Sequence, residues 1–243
     1  AESSFGGDEA LLKVVEAAHA RGMRVIFDIV LNHVHEDHIY CQESPDWCSQ
    51  TCVCGTQDCD WEGPNGRPLD CQFAPYLPDL NYRNPAIVDR VLTDVLALME
   101  KFDVDGLRID AAKHMDHVVM RTLRQRLDAL EDVGVAPFYL VGETFTNNHG
   151  LIMDYVSDDE LHGQFDFPLY YGIRGAFNGG GSFRDLDAAA AASQRSYGTA
   201  LEWMSPFLGN HDVPRMATEI AGNGQGPFGE TPDLMAAGPA DTI

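Results

Sequence analysis

Three carboxylates of this 243-residue chain follow short apolar runs, as catalytic groups at the ends of β-strands do. Asp110 ends the run "GLRID", Glu143 ends "FYLVGE", and Asp212 ends "FLGNHD". Two carboxyl groups that face one cavity, one ionised and one protonated, can cleave a glycosidic bond. Arg108 lies two residues before Asp110, so a strand points both side chains to one face and the guanidinium keeps Asp110 ionised. For Arg108 and Asp110 taken alone, an internal ion pair is an equally good explanation.

The stretch "LNHVHEDH" (31–38) suggests metal chemistry instead. It places His33, His35, Asp37 and His38 in an H-x-H-x-D-H pattern, which resembles the zinc motif of metallo-β-lactamase-type hydrolases. Neutral imidazoles and carboxylates are good zinc ligands. A zinc site would leave Glu143 without a role, so we regard the match as a coincidence. A zinc-dependent hydrolase is kept as a distant alternative.

Alternating helical and strand patterns must position these residues. Apolar periodicity predicts helices over 8–22, 84–102, 117–134 and 183–198, and apolar runs predict buried strands over 23–31, 104–110 and 137–143. A short strand or loop is expected at 165–172, a further apolar run at 201–212, and a loop from Ala217 onward. Strands that alternate with helices indicate an α/β fold with a parallel sheet.

The spacing of the carboxylates favours one α/β architecture. Asp110 and Glu143 are 33 residues apart, close to one strand–helix unit, and Asp212 follows 69 residues later. In a (β/α)8 TIM barrel, catalytic groups lie at the carboxyl ends of several strands around one opening. A doubly wound sheet would carry a glycine-rich phosphate loop, which we do not find. We therefore predict a TIM barrel.

Composition limits the partners and the compartment. The chain has 38 acidic and 16 basic residues and a formal net charge of −22, which argues against nucleic acid and anionic membrane surfaces and is compatible with a neutral substrate. The sequence contains no apolar run of about 18 residues, so we expect no transmembrane helix. All six cysteines lie between 41 and 71. They predict up to three disulfides of undetermined pairing and an extracellular or periplasmic location, with a structural zinc site as the alternative.

Five motifs together resemble the signature regions of the α-amylase family, glycoside hydrolase family 13. They are "DIVLNH" (28–33), "LPDLN" (77–81), "GLRIDAAKH" (106–114), "VGETF" (141–145) and "FLGNHD" (207–212). The resemblance covers essentially the whole chain. It implies a retaining enzyme that cleaves α-1,4-glucosidic bonds in starch-like α-glucans. The alternatives are a transglycosylase or debranching enzyme on the same scaffold, or a non-catalytic homologue that binds carbohydrate.

The resemblance implies a role for each matching residue. Asp110 would be the nucleophile, Glu143 the general acid/base and Asp212 the group that stabilises the transition state. The residues that would contact substrate are His33, Arg108, Lys113, His114 and His211.

A structural calcium ion is also implied by the resemblance. Its ligands would be Asn32, Asp79 and the backbone carbonyl of His114, with a carbonyl of Asp70 as a weaker candidate. Oxygen ligands from separate segments suit a hard cation such as calcium.

The resemblance also divides the chain. Residues 1–34 and 81–243 would be barrel parts, holding about the third to seventh strands, and 35–80 a small Cys-rich domain inserted after the third strand. The chain opens in mid-pattern, as a mature secreted protein or an internal fragment does. We expect the whole protein to be a monomer. We expect the isolated chain to be an inactive, poorly soluble fragment, because an open barrel leaves sheet edges unpaired.

Overall fold

The structure, a computed structural model, describes residues 3–56, 59–62, 66–178 and 180–220. The chain divides into two compact units, one of 1–145 with 151–164 and the other of 146–150 with 165–243. The helices are α1 (Gly7–His19), α2 (Ile39–Glu43), α3 (Pro85–Phe102), α4 (His117–Glu131), α5 (His149–Met153), α6 (Phe167–Phe177), α7 (Phe183–Tyr197) and α8 (Met216–Ile220). The strands are β1 (Ile26–Ile29), β2 (Cys48–Ser49), β3 (Asp79–Leu80), β4 (Gly106–Ile109), β5 (Tyr139–Gly142) and β6 (Gly163–Gln164). Within the described ranges, no helix has the length and apolar character needed to cross a membrane.

Four strands of the first unit form a parallel sheet in the order β1-β4-β5-β6, which confirms the predicted α/β fold with a parallel sheet. The register pairs Ile29 with Ile109 and Ile109 with Gly142. Gly106 is required where β4 meets β5, because a Cβ there would lie 2.0 Å from the carbonyl oxygen of Tyr139. Parallel strands align their carboxyl ends, so the residues that follow these strands lie at one edge of the sheet.

Burial differs between the strands. Every residue of β4 is buried, as the apolar run predicts. The prediction was wrong for β1, where Ile26 is 40% exposed. The physical reason is the position of β1 at the edge of the four-stranded sheet, where one flank has no neighbouring strand among the described residues.

Helices α3 and α4 begin at the residues that the sequence indicates. The Asn84 side chain accepts a hydrogen bond from the Ala86 N–H and Pro85 lies in the first turn, while Asp116 caps α4 through the Val118 N–H. The apolar faces of both helices pack with the sheet in one core. Its fully buried side chains include Ile87, Leu92, Leu107, Ile109, Met120, Leu123 and Leu140.

The Cys-rich segment 35–80 lies within the first unit. Three disulfides, as predicted, join Cys41 to Cys48, Cys52 to Cys59, and Cys54 to Cys71. They leave none of these cysteines available for the alternative zinc site. Strands β2 and β3 pair antiparallel, and cysteines 54, 59 and 71 form a small buried cluster of their own. A role for 35–80 as a separate inserted domain stays a prediction.

Of the residues 165–172 in the second unit, 167–172 lie in helix α6, so the expected short strand or loop was wrong for them. Asp166 caps the helix by accepting a hydrogen bond from the Leu169 N–H at 2.9 Å, and Pro168 lies in the first turn. This pair is a helix-start signal that the surrounding aromatic residues concealed. Helix α7 lies within the predicted range 183–198, and a capping box between Ser182 and Asp185 marks its start.

The end of the chain differs from the prediction. The apolar run 201–212 begins in a 3₁₀ turn (Gly198–Trp203), and the described residues after it form an isolated bridge between Phe165 and Ser205 rather than a strand. The loop expected from Ala217 is helical up to Ile220, in α8. The rest of that predicted loop, 221–243, lies outside the described residues.

Candidate active site

The two candidate catalytic carboxylates of the first unit follow neighbouring strands. Ile109 and Gly142 are register partners in β4 and β5, so Asp110 and Glu143 are the next residue on each. The Asp110 N–H donates to the Ile29 carbonyl at 3.0 Å, and the Glu143 N–H donates to the Ile109 carbonyl at 2.8 Å. These bonds extend the ladder past the strand ends. They hold the two residues at about the spacing of adjacent strands, roughly 5 Å.

Ala111 fixes the Glu143 side chain. Its backbone is left-handed, with φ 51° and ψ 39°, a conformation that few residues other than glycine adopt. In this conformation the Ala111 N–H donates to Glu143 Oε2 at 3.1 Å, and the Ala112 N–H donates to the Glu143 carbonyl at 2.8 Å. Such strain is concentrated at functional sites. Sequence reasoning missed Ala111, because nothing in an alanine signals positive φ.

Arg108 bridges carboxylates on two strands. Its Nη1 donates to Asp110 Oδ1 at 2.5 Å and to Asp28 Oδ1 at 2.9 Å, and its side chain is 9% exposed. Burial alone would lower the pKa of Arg108, but the hydrogen bond and charge of Asp110, with the charges of Asp28 and Glu143, raise it. The predicted pairing of Arg108 with Asp110 is therefore present. Asp28 is a partner that sequence reasoning missed.

Two candidate substrate-binding histidines lie within electrostatic reach of Asp110. Burial lowers the pKa of His33, and the negative charge of Asp110 opposes this shift. Burial and the charge of Lys113 lower the pKa of His114 to about 4, against the influence of several groups that include Asp110. His114 Nδ1 donates to the Pro68 carbonyl at 2.9 Å. Both imidazoles are neutral at neutral pH and can bind sugar hydroxyls without adding charge.

Lys113 is held by protein groups. Its Nζ donates to Glu62 Oε1 at 2.5 Å and to the Phe145 carbonyl at 2.8 Å, and the side chain is buried. Lys113 thus joins the Cys-rich segment to the residues that follow β4 and β5. A direct contact between Lys113 and substrate stays a prediction. Glu62 was missed because no local pattern links residues 51 positions apart.

Asp212 and His211 belong to the second unit. Both are exposed, and His211 Nε2 lies 3.4 Å from Asp212 Oδ2. The Asp212 N–H donates to Asn210 Oδ1 at 3.0 Å, as in an Asx-turn. Their roles as stabiliser and substrate contact stay predictions.

Two predicted calcium ligands are buried beside each other in the first unit. The Leu80 N–H donates to the Asn32 carbonyl at 2.9 Å, and His33 pairs with Asp79 in an antiparallel bridge. The Oδ1 atoms of Asn32 and Asp79 are buried and have no hydrogen-bond partner among the described residues. Burial, and then the charge of Asp70, raises the pKa of Asp79 to about 9. Unsatisfied buried oxygens are unfavourable, and a hard cation would satisfy both.

A cavity of about 220 Å³ is lined by Asp70, Asp79 and His114, which are three of the four predicted calcium-binding residues. The Asp70 carboxylate accepts from Arg67 at 3.0 and 2.6 Å, and its carbonyl accepts from the Thr51 hydroxyl. Asp70 therefore already has protein partners for both groups. The fit to calcium depends mainly on Asn32 and Asp79.

Two histidines of the H-x-H-x-D-H stretch form local hydrogen bonds with the backbone. His35 Nδ1 accepts from the Asp37 N–H at 3.2 Å, and His38 Nδ1 accepts from the Tyr40 N–H at 3.3 Å. In the described part of the chain, one group of three potential metal ligands has its ligand atoms within 4.8 Å of one another. It consists of Cys54, Cys71 and His114. Those cysteines share a disulfide. The described stretch thus gives the zinc hypothesis no support.

Comparison with known proteins identifies the family. Residues 1–61 and 57–228 match the family described as alpha amylase, catalytic domain. The chain belongs to the α-amylase family. A cyclomaltodextrinase from Geobacillus thermopakistaniensis is 29% identical over 236 residues, covering 90% of this chain and 37% of that protein. An α-amylase from Streptomyces lividans is 25% identical over 274 residues, covering 88% of this chain and 29% of that protein.

A solved structure shows the same fold. The crystal structure of an α-amylase from Geobacillus thermoleovorans, complexed with acarbose, matches with a TM-score of 0.73 at 25% identity. The match covers 89% of this chain and 46% of that one. The chain thus spans less than half the length of these α-amylase-family relatives. The family assignment places it among glycoside hydrolases and agrees with the predicted partial catalytic domain.

Proposed function

We propose that this chain carries the catalytic carboxylates of a retaining glycoside hydrolase that cleaves α-1,4-glucosidic bonds in starch-like α-glucans. The observation that carries the proposal is the placement of Asp110 and Glu143 one residue beyond register partners, with the Arg108 guanidinium on Asp110. A buried cation keeps a neighbouring carboxylate ionised, which a nucleophile requires. The relatives named cyclomaltodextrinase and α-amylase, and the neighbour complexed with acarbose, support an oligosaccharide or polysaccharide substrate.

The reaction would proceed in two steps. The Asp110 carboxylate attacks the anomeric carbon, the bond to the leaving sugar breaks, and the proton of Glu143 passes to the leaving oxygen. In the second step Glu143 takes a proton from water, which attacks the same carbon and releases Asp110. Ala111, whose N–H bonds Glu143, holds the acid/base in place during both steps.

Other residues would act on the sugar or on the developing charge. Asp212 would stabilise the transition state with its negative charge, and His211 would contact the sugar beside it. In the first unit His33 and His114 would bind sugar hydroxyls as neutral donors or acceptors. Arg108 would hold the nucleophile, and Lys113 would hold the loops on that side of the site.

The proposed architecture is the family's (β/α)8 barrel, of which the four parallel strands form a part, with 35–80 as an insertion. Bound calcium would supply a positive charge that holds separate segments together. Asn32, Asp79 and the His114 carbonyl would hold it, with the Asp70 carbonyl as a weaker candidate. The three disulfides favour an extracellular or periplasmic location.

The proposal is tested on the full-length protein with soluble starch. Asp110→Asn and Glu143→Gln should each lower kcat by at least about 10³-fold. A fluorinated glucosyl fluoride should label Asp110 covalently, and mass spectrometry of the digest should find the sugar on that residue. Near-normal starch hydrolysis by Asp110→Asn, or a label on another carboxylate, would overturn the assignment.

Products made with an added acceptor sugar separate hydrolysis from glycosyl transfer. Water as the main acceptor gives shorter maltooligosaccharides whose first-formed products keep the α-configuration. Incorporation of the acceptor into most of the product would make the enzyme a transglycosylase that uses the same residues.

A further inference from the structure

The Cys-rich segment reaches the candidate active site through Glu62. Its carboxylate accepts from Lys113 Nζ at 2.5 Å, and the same ammonium donates to the Phe145 carbonyl, two residues after Glu143. Lys113 is buried while the Glu62 side chain is 42% exposed, so the pair anchors a half-exposed residue of the Cys-rich segment to a buried ammonium. The residue before Glu62 is therefore placed against the segments that follow β4 and β5.

That residue is Trp61, and its indole ring is fixed from several sides. The rings of Phe73 and His114 contact it edge-on, with centroids at 5.2 and 5.5 Å. Gly55 leaves room for it, because a Cβ at Gly55 would lie 2.6 Å from the indole nitrogen. The disulfides Cys52–Cys59 and Cys54–Cys71 close the loop that carries Gly55. Trp61 is nevertheless 42% exposed.

The ring cluster lies at the sheet edge that carries the candidate nucleophile. His33 and Phe73 have centroids 4.8 Å apart, and Phe73 and His114 are also 4.8 Å apart. His33 follows β1 and His114 follows β4, and Asp110 lies at the same sheet edge, where its N–H donates to the Ile29 carbonyl at the end of β1. Trp61 contacts two members of this cluster, so its exposed surface lies close to the place where a sugar chain would enter the site.

We propose that Trp61 is a specificity-determining residue whose indole stacks on a glucose unit of the bound α-glucan, next to the Glu62–Lys113 pair. This inference rests on the proposed function. An indole offers a flat apolar surface that fits the C–H face of a pyranose ring, and an aromatic ring that is already fixed loses little entropy on binding. Glu62 beside it can accept hydrogen bonds from sugar hydroxyls while it holds Lys113.

Kinetics of the full-length protein on maltoheptaose test the proposal. Trp61→Ala should raise KM about 10-fold with kcat changed less than about 2-fold, and Trp61→Phe should recover most of the loss. Tyr76→Ala is the matched control, because Tyr76 is an exposed aromatic residue of the same segment that contacts His35. It should leave KM unchanged. Calorimetric titration of maltoheptaose into Glu143→Gln, with and without Trp61→Ala, should show the same 10-fold loss in affinity.

The outcomes separate this inference from the proposed function. If wild type cleaves maltoheptaose and Trp61→Ala has an unchanged KM and Kd, the stacking role is wrong while the enzyme assignment stands. If wild type does not cleave maltoheptaose and Glu143→Gln does not bind it, the proposed function itself is wrong. If Trp61→Ala lowered both kcat and the melting temperature but left KM unchanged, Trp61 would have a merely structural role and the proposal would be overturned.

Discussion

Arg108 Nη1 lies 2.5 Å from Asp110 Oδ1 and is almost excluded from solvent. Lysine keeps the charge but has neither the planar fork nor the reach of arginine. We therefore expect Arg108→Lys to lower kcat about 100-fold on soluble starch with little change in KM. Arg126→Lys is the control. Arg126 of α4 lies 2.7 Å from its ion-pair partner Asp89 of α3, so this pair joins two helices and does not involve the carboxyl edge of the sheet. Equal effects of the two substitutions would contradict a specific role for Arg108.

The disulfide Cys54–Cys71 is expected to stabilise the Cys-rich segment more than Cys41–Cys48 does. The sequence separations are 17 and 7 residues, and a longer closed loop restricts the unfolded chain more. Replacing both cysteines of the longer loop by alanine should cost about 3 kcal/mol, against about 2 kcal/mol for the shorter one. Urea unfolding without reductant measures both. A larger loss from the shorter loop would contradict the entropic argument.

The elements with local signals were predicted well. Asn84 and Pro85 mark the start of α3, and the apolar runs that end in Asp110 and Glu143 became β4 and β5 at neighbouring positions in the sheet. Such signals depend on residues a few positions apart, which is why they can be seen in a sequence. The parallel sheet followed from the alternation of helices and strands.

The contacts that complete the site had no local signal. The partners Asp28 for Arg108 and Glu62 for Lys113 lie 80 and 51 residues from them, and they meet only through strand register and loop packing. Ala111 was hidden for another reason, because its role depends on a left-handed backbone that its side chain does not favour. Tertiary structure decides all three.

Asp166 is expected to stabilise the second unit through more than its helix cap. Its carboxylate accepts from the Leu169 N–H at 2.9 Å and from the buried Tyr197 hydroxyl at 2.8 Å. Burial, and then the hydrogen bond to Asp166, raises the pKa of Tyr197, so this hydroxyl stays a donor. Asp166→Ala should lower the free energy of unfolding by about 2–4 kcal/mol, since it removes a helix cap and the buried acceptor shared by the Tyr197 and Ser193 hydroxyls.

Asp166→Asn serves as the comparison, because an amide oxygen can still accept from both donors. We expect it to lose clearly less stability in urea unfolding than the alanine variant. If the two variants lost the same amount, the charge of Asp166 rather than its hydrogen bonds would carry the effect.

Asp79 gives the calcium-free fold a dependence on pH. Its pKa of about 9 in the folded state exceeds that of an unfolded aspartate, so its contribution to stability is fully present below about pH 4 and is lost as the pH rises towards 9. With a chelator present, the free energy of unfolding should fall by at least about 2 kcal/mol between about pH 5 and 8. Urea unfolding at several pH values measures this slope.

Calcium should remove that slope, because a cation beside Asn32 Oδ1 and Asp79 Oδ1 favours the ionised carboxylate. The stabilisation by calcium should therefore grow with pH, and binding should release protons. Asp79→Asn keeps the size of the side chain but cannot ionise, so it should lose both the slope and most of the stabilisation. If wild type and Asp79→Asn showed parallel pH profiles with chelator, Asp79 would not be the titrating group. If calcium stabilised both equally, the ion would bind at another place in the chain.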